Sequence, residues 1–184
     1  MTKQEWFKNI YRYAAPAARR YNIPISILMA QAAIESGYGG SSLYQKYNNV
    51  SGMKVGSGRG YWTGTSVNMN TGEYIKGQYT TVPANFRVYK NLKESFMDLA
   101  HRHRERAGID FTGLTPGEGI TKIVNSGYAT APNYGSVLAN TINQYSLLQY
   151  DKKLKTDTTL RNLGIVLGLT ITGYGIYKAI SQHV

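Results

Sequence analysis

Apolar residues recur at helical spacing through most of the chain, and that spacing predicts its elements. Between Lys3 and Tyr21, the positions Trp6, Ile10, Tyr13 and Ala14 predict a helix, which Pro16 should kink or split. From Ile23 to Gly39 the pattern becomes almost continuously apolar. Asn22 is the expected cap of a second helix, Pro24 fits its first turn, and Gly37 and Gly39 stop it. Ile27, Gln31 and Glu35 fall on one face of this helix, with Leu28, Ala32 and Ile34 on the packed side. A short helix over Leu43 to Tyr47 and turns at Asn48-Asn49 and Gly52 follow.

From Val55 to Val88 the texture changes to short Thr, Tyr and Val segments between glycines, which predicts a β-hairpin. Its expected strands are Gly60 to Asn68 and Gln78 to Val88, with a turn near Asn70-Thr71-Gly72. Leu92, Phe96 and Leu99 mark a helix from Asn91 to Ala107. The basic end of that helix, His101 to Arg106, reads as a solvated terminus that complements the helix dipole. Thr115 with Glu118 three residues on is a capping box, predicting a helix to about Asn125. A last domain helix is expected from Tyr134 to Tyr145. The expected fold is mainly α (α+β), a helical domain over residues 1–150 with a small β-hairpin lobe.

The tail differs. Asp151 to Arg161 is charged and lacks apolar spacing, so it reads as a linker. Residues 162–181 read as an apolar C-terminal helix, with no charge between Leu163 and Lys178, near the lower limit for spanning a bilayer. Gly164 and Gly168 form a small-residue pattern that suits close packing and self-association of membrane helices. Tyr174 and Tyr177 suit an interface, and the excess of Lys and Arg before the segment places the amino-terminal domain on the cytoplasmic side. A membrane anchor is therefore expected.

Composition narrows the partners. A formal net charge of +11 draws the chain to a polyanion: nucleic acid, anionic lipid or an acidic cell wall. No basic groove with interleaved aromatics stands out, so nucleic acid ranks last. The absence of cysteine excludes disulfides and thiolate metal sites. His101 and His103, at i and i+2 of a helix, point to different sides and do not suggest a metal pair. Gly56-x-Gly58-x-Gly60 lacks the strand and helix that a phosphate loop needs. The amino terminus has no apolar run of secretory type, so no cleaved leader is expected.

Glu35 is the only charge between Asn22 and Gln45. A helix C-terminus and apolar surroundings both disfavour ionisation, as a general acid near neutral pH requires. The competing reading is a carboxylate at a helix end pointing into water. Glu73 is the only acidic residue between Glu35 and Glu94, and by position alone it is a solvated hairpin side chain.

Several motifs then fall in order: Ala30-Gln31-Ala32-Ala33-Ile34-Glu35-Ser36-Gly37-Tyr38-Gly39, Asn48-Asn49-Val50-Ser51-Gly52-Met53-Lys54, Glu73-Tyr74, Phe86-Arg87-Val88-Tyr89, and Tyr128-Ala129-Thr130 with Pro132-x-Tyr134. Together they resemble the glucosaminidase domain of glycoside hydrolase family 73, over roughly Lys3 to Asp151. The resemblance implies a lysozyme-like helical fold with a small β-lobe over a cleft. It implies cleavage of the β-1,4 bond between N-acetylglucosamine and N-acetylmuramic acid in peptidoglycan, with no metal or cofactor. Glu35 matches the catalytic acid, Glu73 the second carboxylate proposed in some members, and Tyr128 a cleft tyrosine that supports catalysis. Tyr38, Asn49, Tyr61, Trp62 and Tyr134 are the candidate substrate contacts. Ser51 departs from the bulky apolar residue usual at its position, and Ala131 from an aspartate.

Retention, inversion and attack by the substrate's own acetamido group all stay open. A lytic transglycosylase is the alternative enzyme, and a catalytically weak wall-binding or assembly module the alternative outside catalysis. An unexported wall hydrolase with a terminal apolar helix suits a phage lysis enzyme or a virion protein that opens the wall, located at a membrane.

Overall fold

The computed structural model describes residues 1–56, 61–75, 78–129 and 131–163. Helix α1 spans Lys3–Tyr21 and opens with a capping box between Thr2 and Glu5. It runs through Pro16 as one element, so the expected split does not occur. Pro16 leaves one carbonyl of the ladder without its usual donor. The helix holds because its other face buries Trp6, Phe7, Ile10, Ala14 and Tyr21 in the core. Each large apolar side chain so buried contributes about 1.5–3 kcal/mol.

Asn22 does not cap the next helix. It closes α1 in the left-handed conformation, at φ 53°. Helix α2, Ile25–Ser36, has no side-chain cap from its own flank. Instead the Ser26 N–H donates to Asp151 Oδ1 at 3.1 Å, across 125 positions of sequence. A carboxylate there satisfies a free amide and meets the positive end of the helix dipole. Every residue from Ile25 to Ala33 is buried, including the polar Ser26 and Gln31. Such a helix is a central strut. It packs against α1 and against three helices that follow: α4 (Leu92–His101), α5 (Pro116–Asn125) and α6 (Tyr134–Gln144).

Helix α3, Ser42–Tyr47, leads into the loop that carries Asn49. Strands β1 (Ser66–Ile75) and β2 (Gln78–Arg87) form one antiparallel hairpin, from Ser66 opposite Arg87 to Ile75 opposite Gln78. The expected turn at Asn70-Thr71-Gly72 is inside β1, paired with Pro83, Val82 and Thr81. A turn-favouring glycine sits in a strand here because the Tyr79 ring lies across it, where a Cβ on Gly72 would collide.

The outer part of β2 is largely exposed, and only its last residues, Phe86 and Arg87, are buried. The Arg87 guanidinium, 2% exposed, donates to Asp98 Oδ2 on α4 at 2.7 Å and to the carbonyls of Lys54 and Val55. It also lies 5.1 Å from the Trp62 ring. Tyr89 donates to the same Asp98 oxygen at 2.6 Å. A buried ion pair thus fixes the base of the hairpin to the helical body.

Helix α4 passes into a π-helical turn, Arg102–Arg106. The Thr115–Glu118 capping box starts α5 as expected. Residues 148–163 are helical and form α7, although Asp151 to Arg161 reads as a linker. Tyr11 donates to Asp157 Oδ2 at 2.6 Å, so with Asp151 the charges of this stretch hold it on the domain. Among the described residues no helix is long and apolar enough to cross a membrane. The expected apolar helix, with Gly164, Gly168, Tyr174 and Tyr177, lies from residue 164 onward outside the described residues.

Candidate active site

Glu35 stands in the last turn of α2, just before Gly37 ends the helix at φ 58°. Its carboxylate reaches a groove of about 480 Å³ lined also by Ile34, Ser51, Arg102, Tyr128, Ala131 and Tyr134. The sequence suggests apolar surroundings, but the side chain is open to solvent on this side. Nevertheless the wall behind it removes water, and this desolvation raises its pKa above the ordinary carboxylate value. Two weaker influences oppose the shift: a hydrogen bond from Tyr134 and the positive charge of Arg102. The net direction is upward.

A chain of hydrogen bonds runs inward from the carboxylate. Tyr134 Oη donates to Glu35 Oε1 at 3.0 Å. Gln31 Nε2, one turn back on α2, donates to Tyr134 Oη at 3.2 Å. Gln31 Oε1 lies 2.9 Å from His103 Nε2 in the π-helical turn. His103 is fully buried and its pKa falls to about 3, first from desolvation and then from the charge of Arg102. It is therefore neutral at physiological pH. Tyr128 stacks beside this chain, 4.7 Å from the His103 ring and 5.8 Å from the Tyr134 ring, with Arg102 Cζ 4.9 Å over its own ring. Desolvation and then the Glu35 charge push the Tyr128 hydroxyl upward, so it keeps its proton.

The structure thus brings together three of the sequence candidates, Glu35, Tyr128 and Tyr134. Glu73 lies on β1 opposite Thr80, and its side chain is outside the described residues. Four candidates sit elsewhere. Tyr38 packs edge-on against Trp6, Phe7 and Tyr145, under Lys3. Asn49 is 1% exposed. Its amide donates to the Met53 and Arg87 carbonyls and accepts from the Met53 N–H, so it organises a loop and faces no groove. Trp62 donates to the Val88 carbonyl at 2.9 Å and stacks on Arg87, which makes it part of the hairpin base. Tyr61 is 40% exposed next to it, on the surface.

Three residues at or behind the groove escape a sequence reading. Arg102 and His103 lie in the run that looks like a solvated helix end. The π-helical turn places Arg102 on the groove and buries His103 behind it, and such turns recur at functional sites. Gln31 left one clue: an amide in a helix otherwise apolar all round must find buried partners. Ser51 and Ala131, the two departures from the family pattern, both line the groove.

A carboxyl biased toward its protonated form on the wall of an open groove, at the end of the central helix of a mainly helical domain with a β-hairpin lobe, describes a lysozyme-like glycoside hydrolase domain. The glucosaminidase family model, described as mannosyl-glycoprotein endo-beta-N-acetylglucosaminidase, matches residues 11–147. The chain belongs to this family, glycoside hydrolase family 73. It is 34% identical to an autolysin of Enterococcus faecalis over 80% of its own length, and 31% identical to the exo-glucosaminidase LytG of Bacillus subtilis over 82%. It spans 21% and 54% of those two relatives. The catalytic domain of the Listeria monocytogenes autolysin Auto superposes with a TM-score of 0.71 at 31% identity, covering 82% of this chain and 88% of that domain.

Proposed function

We propose that the chain hydrolyses the β-1,4 bond between N-acetylglucosamine and N-acetylmuramic acid in peptidoglycan, with Glu35 as the proton donor. One observation carries the proposal: the Glu35 carboxyl faces an open groove, is pushed toward its protonated form, and is held by Tyr134 at 3.0 Å. A glycosidic oxygen leaves as an alcohol only if it gains a proton as the bond breaks. Glu35 supplies that proton, and the sugar ring develops oxocarbenium character. Glu73, on the hairpin, is the carboxylate assigned to the opposite face of the ring. Tyr128 gives the groove a flat aromatic wall beside Glu35. The relatives support the substrate class, since they include an autolysin and an exo-glucosaminidase. The net charge of +11 suits an acidic wall.

Mass spectrometry of fragments released from purified peptidoglycan tests the proposal. Fragments ending in reducing N-acetylglucosamine are expected. Anhydro-muramyl ends would make the chain a lytic transglycosylase. Binding to sacculi with no released sugar would make it a wall-binding module.

A further inference from the structure

The chain from Glu35 to His103 has a direction. Among the described residues His103 Nδ1 has no hydrogen-bond partner, so the ring engages the rest of the site through Nε2. Gln31 uses its amide nitrogen on Tyr134, which leaves its carbonyl oxygen for His103. That oxygen only accepts, so the His103 proton must sit on Nε2. Tyr134 accepts from Gln31 and sends its one proton to Glu35. Every donor therefore points toward the carboxylate.

We propose that His103 and Gln31 are positioning residues for Glu35, acting through the hydrogen bond from Tyr134 to fix the orientation of the proton donor and to favour its ionised form. The proposal rests on the hydrolase reading above for its purpose, but not for its test. Aligned hydrogen bonds polarise one another, so the Gln31 bond makes the Tyr134 hydroxyl a stronger donor. A stronger donor favours the ionised carboxyl. A neutral histidine suits this place, because an imidazolium would add a second positive charge beside Arg102. The charged and titratable groups that face Glu35 are Arg102 from the π-helical turn, Tyr128 from the loop after α5, and Tyr134 from α6, with His103 behind them against Gln31 and Tyr128. Of these, Tyr134 alone bonds the carboxylate within the described residues. The inward path consequently leaves Glu35 by a single bond.

The test is a direct titration of Glu35 by carbon-13 carboxyl NMR in the full chain, for the parent, Gln31→Met, His103→Phe and Tyr134→Phe. Tyr134→Phe should raise the Glu35 midpoint by about one pH unit, the worth of one hydrogen bond to a charged group. Gln31→Met should raise it by roughly a third of that, following the strengthening expected within a chain of bonds. The double variant Gln31→Met with Tyr134→Phe should titrate like Tyr134→Phe alone, because Tyr134 carries the hydrogen bond that joins Gln31 to Glu35. His103→Phe probes the same chain from its far end, so a folding failure of one buried variant leaves the other. Unshifted midpoints in folded Gln31→Met and His103→Phe would overturn the proposal. Failure of the parent to release sugar would overturn the hydrolase reading and leave this titration intact. With active parent enzyme, the high-pH limb of the rate should shift upward in Gln31→Met by the same fraction of a unit, which a purely structural role would not produce.

Discussion

Asp98→Ala is the sharpest perturbation of the hairpin's attachment. It deletes the carboxylate that pairs with Arg87 at 2.7 Å, where both side chains are 2% exposed. The guanidinium keeps two carbonyl contacts, to Lys54 and Val55, and the Trp62 ring, but its charge is left unpaired in the interior. Tyr89 loses its acceptor as well. Breaking a buried pair by removing one partner costs about 3–5 kcal/mol. That is a large part of the 5–15 kcal/mol typical of a whole domain. Urea unfolding of the parent and variant measures the loss. Removing both charges together, as Asp98→Leu with Arg87→Met, should cost markedly less than Asp98→Ala alone, since no buried charge remains. A loss below about 1 kcal/mol in Asp98→Ala, or a double variant as unstable as the sum of its parts, would refute the reasoning.

Other outcomes follow from the same contacts. His103 has a folded pKa near 3 against about 6.5 when unfolded, so between these values the unfolded chain binds the extra proton. Stability should therefore fall as pH drops below 6.5, by about 1.4 kcal/mol per unit from this group, and urea melts at pH 7, 6 and 5 should show a shallower fall in His103→Phe. Asn49→Ala should destabilise by about 2 kcal/mol, because the Arg87 carbonyl loses the amide donor and the buried Met53 N–H loses the amide acceptor; thermal melts would detect it, and an unchanged midpoint would contradict the loop assignment. Asp151→Ala should cost about 1 kcal/mol by uncapping α2, with hydrogen exchange accelerated at the Ser26 amide; unchanged exchange there would show that the cap does not act.

What the sequence made legible is mostly local. The Thr115–Glu118 box marks the start of α5 because both partners lie within one turn. The apolar run of α2 marks a buried strut, and the isolation of Glu35 within it marks a candidate acid. What escaped depends on partners far along the chain. The cap of α2 comes from Asp151, the anchor of the hairpin joins Arg87 to Asp98, and the support of Glu35 joins Gln31 to His103 and Tyr134. No periodicity encodes such pairings. The hairpin turn is hard to place for a different reason. Asn70-Thr71-Gly72 has the chemistry of a turn, but ladder pairing and the cross-strand Tyr79 ring outweigh it. Tyr38 and Trp62 show the same ambiguity for aromatics, because a ring that could stack on sugar stacks equally well on Trp6 or Arg87. Likewise His103 was hidden by an irregularity of the helix, since a regular α-helical turn would present that face differently.

The proposed hydrolysis depends on Glu35 as the group that protonates the glycosidic oxygen. Clearance of purified peptidoglycan by Glu35→Gln, with the fold verified by circular dichroism, measures this directly. Glutamine keeps the shape and can still accept from Tyr134, but it has no acidic proton to give. The predicted result is a fall in rate of at least about 100-fold, the contribution of a general acid. Clearance at the parent rate by the folded variant would contradict the account.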